Sequence, residues 1–187
     1  MVLFVTMEEK NTPTIKGIFV NSHIRAVEKV QGAEGLRKLK EQYGGNLDYK
    51  NSEDVPVREE VKIIECALDI LSPQIPPEER AFEAGKLHFR NFVTTPLAKI
   101  VFSMFRQNFK LMMMQSPNIA GHVFRGVHFS AEDLGPQSVR LTMTNNDYPI
   151  DHFRGLFAEW MEYSGCKGDI SEAEIEPNTY QYTMEWK

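Results

Sequence analysis

The sequence has few cysteines, no excess of basic charge and no long apolar run. Cys66 and Cys166 are the two cysteines in 187 residues and neither lies in a Cys-x-x-Cys pair, so the pattern indicates neither a disulfide scaffold nor a cysteine zinc site. The formal net charge of -5 disfavours nonspecific binding to nucleic-acid phosphates. The longest apolar runs, such as residues 111–114, fall far short of the roughly 20 residues of a membrane-spanning helix, so we expect no membrane span.

The sequence also lacks a signal-peptide pattern and the common enzyme motifs. The first seven residues are mostly apolar, without a basic start or a small-residue cleavage site, and Glu8 and Glu9 follow them, so we expect a cytoplasmic protein. There is no Gly-x-Gly-x-x-Gly, no Gly-Lys-Ser phosphate loop, no His-Glu-x-x-His and no Gly-x-Ser-x-Gly. We therefore predict that the chain is not an enzyme.

The first half of the chain has apolar residues at helical spacing. This spacing predicts a helix over 17–30 that Gly32 ends, followed by a second short helix that ends at Tyr43. Further helices are predicted over 57–71, from 78 to about 85, and over 96–115. The last of these is apolar around much of its circumference, so we expect it to be a buried central helix.

The second half changes to the two-residue period of strands. Residues 137–144 alternate cleanly, and a strand over 122–129 is predicted before them, with a hairpin loop at 131–136. Pro149 begins a helix that Gly165 ends, and two strands around a Pro177-Asn178 turn close the chain. The order predicts an α+β fold in which N-terminal helices pack on a C-terminal antiparallel sheet with an inserted helix. We expect one domain over 1–187, with residues 1–14 as an extension or a short edge strand at 3–6.

The five histidines stand in no motif. His122 and His128 share one side of the predicted strand but lie about 20 Å apart, too far for one metal ion. His152 follows Asp151 in a first helical turn, where adjacent side chains diverge, so we expect a surface imidazole. His23 lies inside the first helix, and His88 has no acidic neighbour in sequence. We predict structural roles for all five and no metal site.

Several segments resemble known families. Residues 15–25 and 28–32 resemble the opening helix of haem nitric oxide/oxygen-binding (H-NOX) sensor domains, and residues 109–114 and 153–157 fit the order of that family. The whole pattern looks even more like an uncharacterised family present in many paralogous copies in myxobacteria. That family is similar in arrangement to the vinyl-reductase-associated ligand domain and to the core subunits of the TRAPP vesicle-tethering complex. The resemblance implies an α+β sensor-like domain.

The residues that would hold haem depart from the H-NOX pattern. Where that family carries an axial histidine after its methionine-rich helix, this chain has Gln115 to Asn118, and His122 is the nearest histidine. Where the family carries Tyr-x-Ser-x-Arg to hold the propionates, Ser138 and Arg140 are present but Pro136 replaces the tyrosine. Haem would lose its main orienting contacts, so we expect no cofactor and disfavour a haem-based gas sensor.

Two functional hypotheses remain beside that one. The first is a non-enzymatic ligand-binding or sensory module with an apolar pocket for a small apolar molecule. The predicted lining is Phe105, Phe109, Met112, Met113 and Phe124, with His122 and Arg140 as the polar groups that orient the ligand. The second is an interaction module without ligand that forms a homodimer through an exposed face. Exposure of Tyr180 and Trp186 on the last strand would favour this second hypothesis, because large exposed aromatic patches mark interfaces.

Overall fold

The computed structural model describes residues 12–105 and 108–187, without the side chains of 104 and 105. The predicted strand at 3–6 therefore lies outside the described residues. The helices are α1 (Gly17–Tyr43), α2 (Val57–Leu71), α3 (Arg80–Phe92), α4 (Pro96–Phe105), α5 (Phe109–Val123) and α6 (Ile150–Tyr163). The strands are β1 (Thr14–Lys16), β2 (Asp54–Pro56), β3 (Phe124–Arg125), β4 (His128–Gly135), β5 (Ser138–Thr144), β6 (Gly168–Glu176) and β7 (Thr179–Trp186).

The main sheet has four antiparallel strands in the order β4-β5-β7-β6. The predicted alternation on β5 is confirmed, because Val139, Leu141 and Met143 are all fully buried. Across the ladder, Leu141 pairs with Tyr182 and Val139 pairs with Met184, and both partners are fully buried as well. One face of the sheet therefore forms the floor of the core, and the predicted α+β arrangement is confirmed.

A second sheet has three strands in the order β2-β1-β3. The strands β1 and β2 lie directly before α1 and α2 in the chain, and β3 lies between α5 and β4. Its central residue, Ile15, is fully buried and pairs with Val55 on one side and Phe124 on the other. None of the helices in the described part of the chain combines the length and the apolar character that crossing a membrane requires.

Gly32 interrupts α1 as predicted. Its backbone has φ 62° and ψ -155°, which no helical residue adopts, so the axis of α1 kinks there. The segments on either side correspond to the two helices that the sequence predicts, and Gly44 ends the second segment with φ 73°.

The prediction of one long helix over 96–115 is wrong. The chain forms α4 and α5 instead, and Asn108 between them has φ -128° and ψ 84°. Its side-chain oxygen accepts a hydrogen bond from the backbone N–H of Leu111 at 2.9 Å, which caps the start of α5. Apolar spacing alone continues across the break, but the cap starts a new helix, which ends at Val123, eight residues beyond the predicted end.

Two strand predictions also need correction. The strand predicted over 122–129 begins only at Phe124, and Gly126, with φ 78°, separates β3 from β4. The hairpin loop predicted over 131–136 is mostly strand, because β4 stays paired with β5 up to the Gly135 to Ser138 pair. The polar residues there suit an edge strand exposed to solvent, and only residues 136 and 137 form the turn.

The helices α3 and α6 cross at two glycines. A Cβ atom on Gly85 would collide with the carbonyl oxygen of His152, and one on Gly155 would collide with the carbonyl oxygen of Phe82. The sequence predicts that the helix ends near Gly85; it instead continues to Phe92, because this glycine serves the helix crossing rather than a helix end. The close approach brings His88, one turn after Gly85, next to His152, one turn before Gly155.

Candidate functional site

Four helices each contribute one ionisable side chain to a buried polar cluster. The cluster consists of His23 on α1, Glu60 on α2, His88 on α3 and His152 on α6. His23 and Glu60 have no exposed surface, His88 is 3% exposed and His152 is 1% exposed. Buried groups of this kind are rare in proteins unless they pair with one another or bind something, so the cluster is the first candidate for a functional site.

The cluster is connected by short contacts. His23 Nε2 lies 2.5 Å from Glu60 Oε1, and His88 Nδ1 lies 3.6 Å from the same oxygen. His88 Nδ1 also lies 3.0 Å from His152 Nε2, and the Asn91 amide nitrogen lies 3.0 Å from His23 Nδ1. In this arrangement the Asn91 N–H donates to His23 Nδ1, so His23 Nε2 carries the ring proton and donates it to Glu60.

Local sequence explains why each side chain points inward. Glu60 lies one turn after Val57 and one turn before Ile64, both fully buried, so it occupies the apolar face of α2. His88 comes one turn after Gly85, and His152 comes one turn before Gly155. The crossing of α3 and α6 at these glycines therefore sets the two imidazoles side by side.

The surroundings shift the protonation equilibria of the cluster. Burial lowers the pKa of His88 to about 4 and that of His152 to about 3, although the Glu60 carboxylate opposes both shifts. Burial raises the pKa of the Glu60 carboxyl, but His88 and the hydrogen bond from His23 outweigh burial and lower it to about 2. The pKa values of Glu60 and His88 are therefore coupled, because the ionised form of each favours the ionised form of the other.

Tyr148 closes the cluster on the side of His152. Its ring lies 4.6 Å from the His152 ring and 6.0 Å from the His88 ring, measured between centroids. Burial and the nearby Glu60 raise the pKa of Tyr148 well above its ordinary value. Tyr148 Oη lies close to the Glu60 carboxylate, although neither Tyr148 Oη nor Glu60 Oε2 makes a hydrogen bond of good geometry within the part of the chain that the structure describes. The tyrosine hydroxyl therefore lies beside a carboxylate that can accept its hydrogen bond.

An apolar cavity of about 50 Å³ adjoins the cluster. It lies between α3, α5 and α6 and reaches the start of the main sheet, and His88 belongs to its wall. Its other lining residues are Phe89, Phe92, Ser116, Ile119, Ala120, Val123, Phe124, Phe129, Phe153, Leu156, Phe157 and Trp160. Aromatic rings therefore form most of the wall, and they come from α3, α6 and both sheets, whereas α5 contributes small and aliphatic residues.

Two lining residues carry polar atoms without partners. Ser116 Oγ and Trp160 Nε1 are buried and make no hydrogen bond within residues 12–105 and 108–187. An unsatisfied buried donor costs about 1–3 kcal/mol, so two of them beside one cavity are an unusual feature.

A second concavity of about 500 Å³ lies between α6 and β6 and is open to solvent. Arg154, Glu162 and Lys167 are among its lining residues, so its wall is charged as well as apolar. The guanidinium carbon of Arg154 lies 4.8 Å from the centroid of the Phe82 ring and reaches Glu172 at 3.2 Å. These contacts give the groove the character of an ordinary solvated surface.

The residues predicted to bind ligand do not all meet at the cavity. Phe124 lines it. Phe109, Met112 and Met113 are buried in the core but are not part of the lining, and Phe109 packs edge-on against Trp186 instead. The two predicted polar groups lie elsewhere, and the side chain of Phe105 lies outside the described residues.

The two predicted polar groups face the protein surface. His122 is exposed in the last turn of α5, and Arg140 is partly exposed on β5. Arg140 reaches Thr183 Oγ1 at 3.3 Å and Glu132 at 3.2 Å. Among the residues that line the cavity, Ser116, Trp160 and His88 carry polar side-chain atoms, and none of the three was predicted from the sequence to bind a ligand.

The structure also corrects the expectations for the histidines. The prediction of a surface imidazole at His152 is wrong, because the ring points from the first turn of α6 into the core between α3 and Tyr148. His88 does have an acidic neighbour, Glu60, although 28 positions separate them in the sequence. The usable signal was Glu60 itself, since a glutamate on the apolar face of α2 requires a buried partner.

Residues 10–187 match the model of DUF2378, which is described as a protein of unknown function, and the chain therefore belongs to this family. No curated protein matches the sequence.

Solved structures of H-NOX domains share the fold. A crystal structure of an oxygen-binding H-NOX domain related to soluble guanylate cyclases has 14% identity and a TM-score of 0.69, over 92% of this chain and 95% of that one. A point mutant of the T. tengcongensis H-NOX has 15% identity and a TM-score of 0.66, over 92% and 98%. A Cs H-NOX carrying an unnatural amino acid has 14% identity and a TM-score of 0.66, over 92% and 97%. The predicted H-NOX resemblance is thus confirmed as a likeness of fold.

Proposed function

We propose that this member of the DUF2378 family is a non-enzymatic sensory module that binds a small, largely apolar molecule in the cavity between α3, α5 and α6. The observation that carries the proposal is the pairing of an apolar cavity with two unsatisfied donors, Ser116 Oγ and Trp160 Nε1, in its wall. Binding sites commonly combine an apolar wall with a few polar groups that orient the ligand. The H-NOX fold supports the proposal, since one of its members is described as oxygen-binding.

The size of the cavity limits the ligand to a few heavy atoms. A water-sized probe needs about 10–15 Å³ on the same measure, so a cavity of about 50 Å³ holds roughly four such probes. Ligands of this size include diatomic gases and short molecules with one acceptor atom. The acceptor would take the hydrogen bonds that Ser116 and Trp160 leave unused, while the remaining atoms contact the aromatic wall.

The residues present do not fit haem, the cofactor that several H-NOX structures are named for. Pockets for drug-sized ligands occupy about 300–1,000 Å³, several times the volume of this cavity. His88 is the histidine in the wall, and its Nδ1 is already engaged by His152 and Glu60. Arg140, the nearest counterpart of a propionate-binding arginine, lies outside the lining. We therefore assign the cavity a ligand smaller than haem.

The alternative of an interaction module without ligand has less support. Tyr182 and Met184 on β7 are fully buried, and Tyr180 and Trp186 on the same face are partly buried. Trp186 contacts Phe109 of α5 with a centroid distance of 5.1 Å. The aromatic face of β7 therefore packs against the helices of its own chain. Homodimer formation and a cytoplasmic location stay predictions.

Xenon and acetonitrile together test the proposal by methyl-resolved NMR. Xenon reports any apolar cavity, whereas the nitrile nitrogen of acetonitrile also accepts a hydrogen bond. We expect both probes to shift the methyl resonances of Ile119, Val123 and Leu156, which line the cavity. Ala120→Leu fills the cavity and should abolish both effects. Ser116→Ala should leave xenon binding unchanged and weaken acetonitrile about two- to tenfold, the worth of one hydrogen bond.

Asn118→Leu is the matched control, since Asn118 is exposed on the same helix as Ala120. This variant should bind both probes as the wild type does. The proposal fails if neither probe shifts these methyl groups, or if Ala120→Leu binds xenon as well as the wild type.

A further inference from the structure

We infer that His23, Glu60 and His88 form a binding site for one divalent transition-metal ion of the Zn²⁺ or Fe²⁺ class, with His152 beside His88. The inference concerns the buried polar cluster and goes beyond the proposed ligand of the apolar cavity. The two sites share a single residue, His88, so each can be tested while the other is left intact.

The chemical types of the three side chains suit such an ion. Imidazole nitrogen is a preferred ligand of zinc and iron, and two histidines with one carboxylate occur in sites for both metals. Each of the three ligands comes from a different helix, as in metal sites built within the cores of helix bundles. A tight group of ligands from three separate helices holds its geometry through the packing of the core.

The donor atoms of the cluster are already separated by distances close to those between ligands of one metal ion. Ligands around a tetrahedral zinc ion with bonds of about 2.0 Å lie about 3.3 Å apart. The observed separations are 2.5 Å from His23 to Glu60, 3.0 Å from His88 to His152, and 3.6 Å from His88 to Glu60. The donor atoms of His23, Glu60 and His88 all lie within 4.8 Å of one another. Movements of under about 1 Å would bring these atoms to coordination distance.

Glu60 is the acidic member of the cluster and is fully buried. Its ion-pair contacts in residues 12–105 and 108–187 are with His23 and His88, never with lysine or arginine. Its second oxygen, Oε2, makes no hydrogen bond of good geometry within the described chain, so a lone pair is open to a metal ion.

The surroundings supply a second layer of contacts that a metal site needs. Coordination through His23 Nε2 moves the ring proton to Nδ1, which must then donate to an acceptor. Half a turn of the Asn91 side-chain amide places its oxygen where its nitrogen now lies, 3.0 Å from His23 Nδ1. Tyr148 Oη, which lies close to the Glu60 carboxylate, is available to hydrogen-bond that carboxylate or a ligand on the metal.

Cobalt(II) tests the inference, because it replaces zinc or iron and its visible absorption reports the coordination. Protein stripped with a chelator should bind one Co²⁺ per chain with the intense visible bands of a four- or five-coordinate site, and Zn²⁺ should displace it. Glu60→Gln and His23→Gln keep the approximate shape of the side chains and should each lower the affinity at least tenfold. Asn91→Ala should lower it about 10- to 100-fold.

His122→Asn and His128→Asn are the matched controls, since both histidines are exposed. Both should bind Co²⁺ as the wild type does, and so should Ala120→Leu, which separates this site from the cavity. The wild-type titration stands even where a core variant does not fold. Stripped wild-type protein that takes up no Co²⁺ or Zn²⁺, or that loses its uptake in the two surface variants, overturns the inference.

Discussion

At the crossing of α3 and α6, replacing glycine by alanine is expected to destabilise the protein, which is the opposite of what helix propensity alone predicts. Gly155 lies inside α6, where alanine is ordinarily better than glycine by about 1 kcal/mol. A Cβ atom at this position would collide with the backbone of Phe82, at its Cα, carbonyl carbon and carbonyl oxygen. Backbone atoms cannot move aside as a flexible side chain can, so Gly155→Ala forces the two helices apart.

The cost of that separation exceeds the gain in propensity. Overpacking in a well-packed core costs about 1–3 kcal/mol, and a collision with backbone belongs at the upper end. The His88 to His152 contact of 3.0 Å spans the same crossing and would be stretched. We expect a net loss of about 2 kcal/mol in the free energy of unfolding, which for a chain of this size lowers Tm by about 4–8 °C.

Thermal and urea unfolding of two alanine variants provide the assay. Gly121→Ala is the control, because Gly121 is also helical and exposed but a Cβ there meets nothing within 4 Å. It should gain up to about 1 kcal/mol. The reasoning is refuted if Gly155→Ala is as stable as the wild type, or if the two variants change stability in the same direction.

Two further predictions concern buried hydroxyl groups. Ser116→Ala removes an unsatisfied hydroxyl from α5 and should stabilise the ligand-free protein by about 1 kcal/mol in urea unfolding. The control is Ser103→Ala at an exposed position, which should change the free energy of unfolding by less than about 0.5 kcal/mol. A loss of stability in Ser116→Ala would contradict the conclusion that this hydroxyl has no hydrogen-bond partner. Burial raises the pKa of Tyr182, so the stability its hydroxyl contributes is present below about pH 10, where the unfolded chain titrates, and is lost as pH rises further. Urea midpoints at about pH 8 and about pH 11 should therefore fall less in Tyr182→Phe than in the wild type, and equal falls would exclude this contribution.

Periodicity predicted those parts of the fold that depend on local patterning. The alternation of β5, the face of β7 and the kink at Gly32 follow from side chains that alternate or from a residue that permits positive φ. The break between α4 and α5 was not predicted, because the apolar spacing of 96–115 continues across it and a single cap at Asn108 decides the boundary. Local signals of one residue are easily outweighed by a strong periodic pattern.

The candidate sites depend on contacts between distant segments, which no local pattern encodes. His23, Glu60, His88 and His152 are spread over 130 positions and meet only when four helices pack. From their neighbours in sequence, all five histidines were predicted to have structural roles. Gly85 illustrates the same difficulty, since a glycine that permits a helix crossing cannot be distinguished by sequence from one that ends a helix.

The crossing of α3 and α6 connects the cavity to the cluster through His88. His88 contributes to the wall of the cavity and contacts both Glu60 and His152, and α3 carries it from the crossing at Gly85. Because α3 and α6 touch through their backbones at this crossing, neither helix can shift without moving the other. A ligand that displaces His88 would therefore change distances within the cluster, and an ion that draws the cluster together would move His88 in the cavity wall. Coupling of this kind acts equally in both directions, so the proposed ligand and the proposed ion would each alter the affinity for the other.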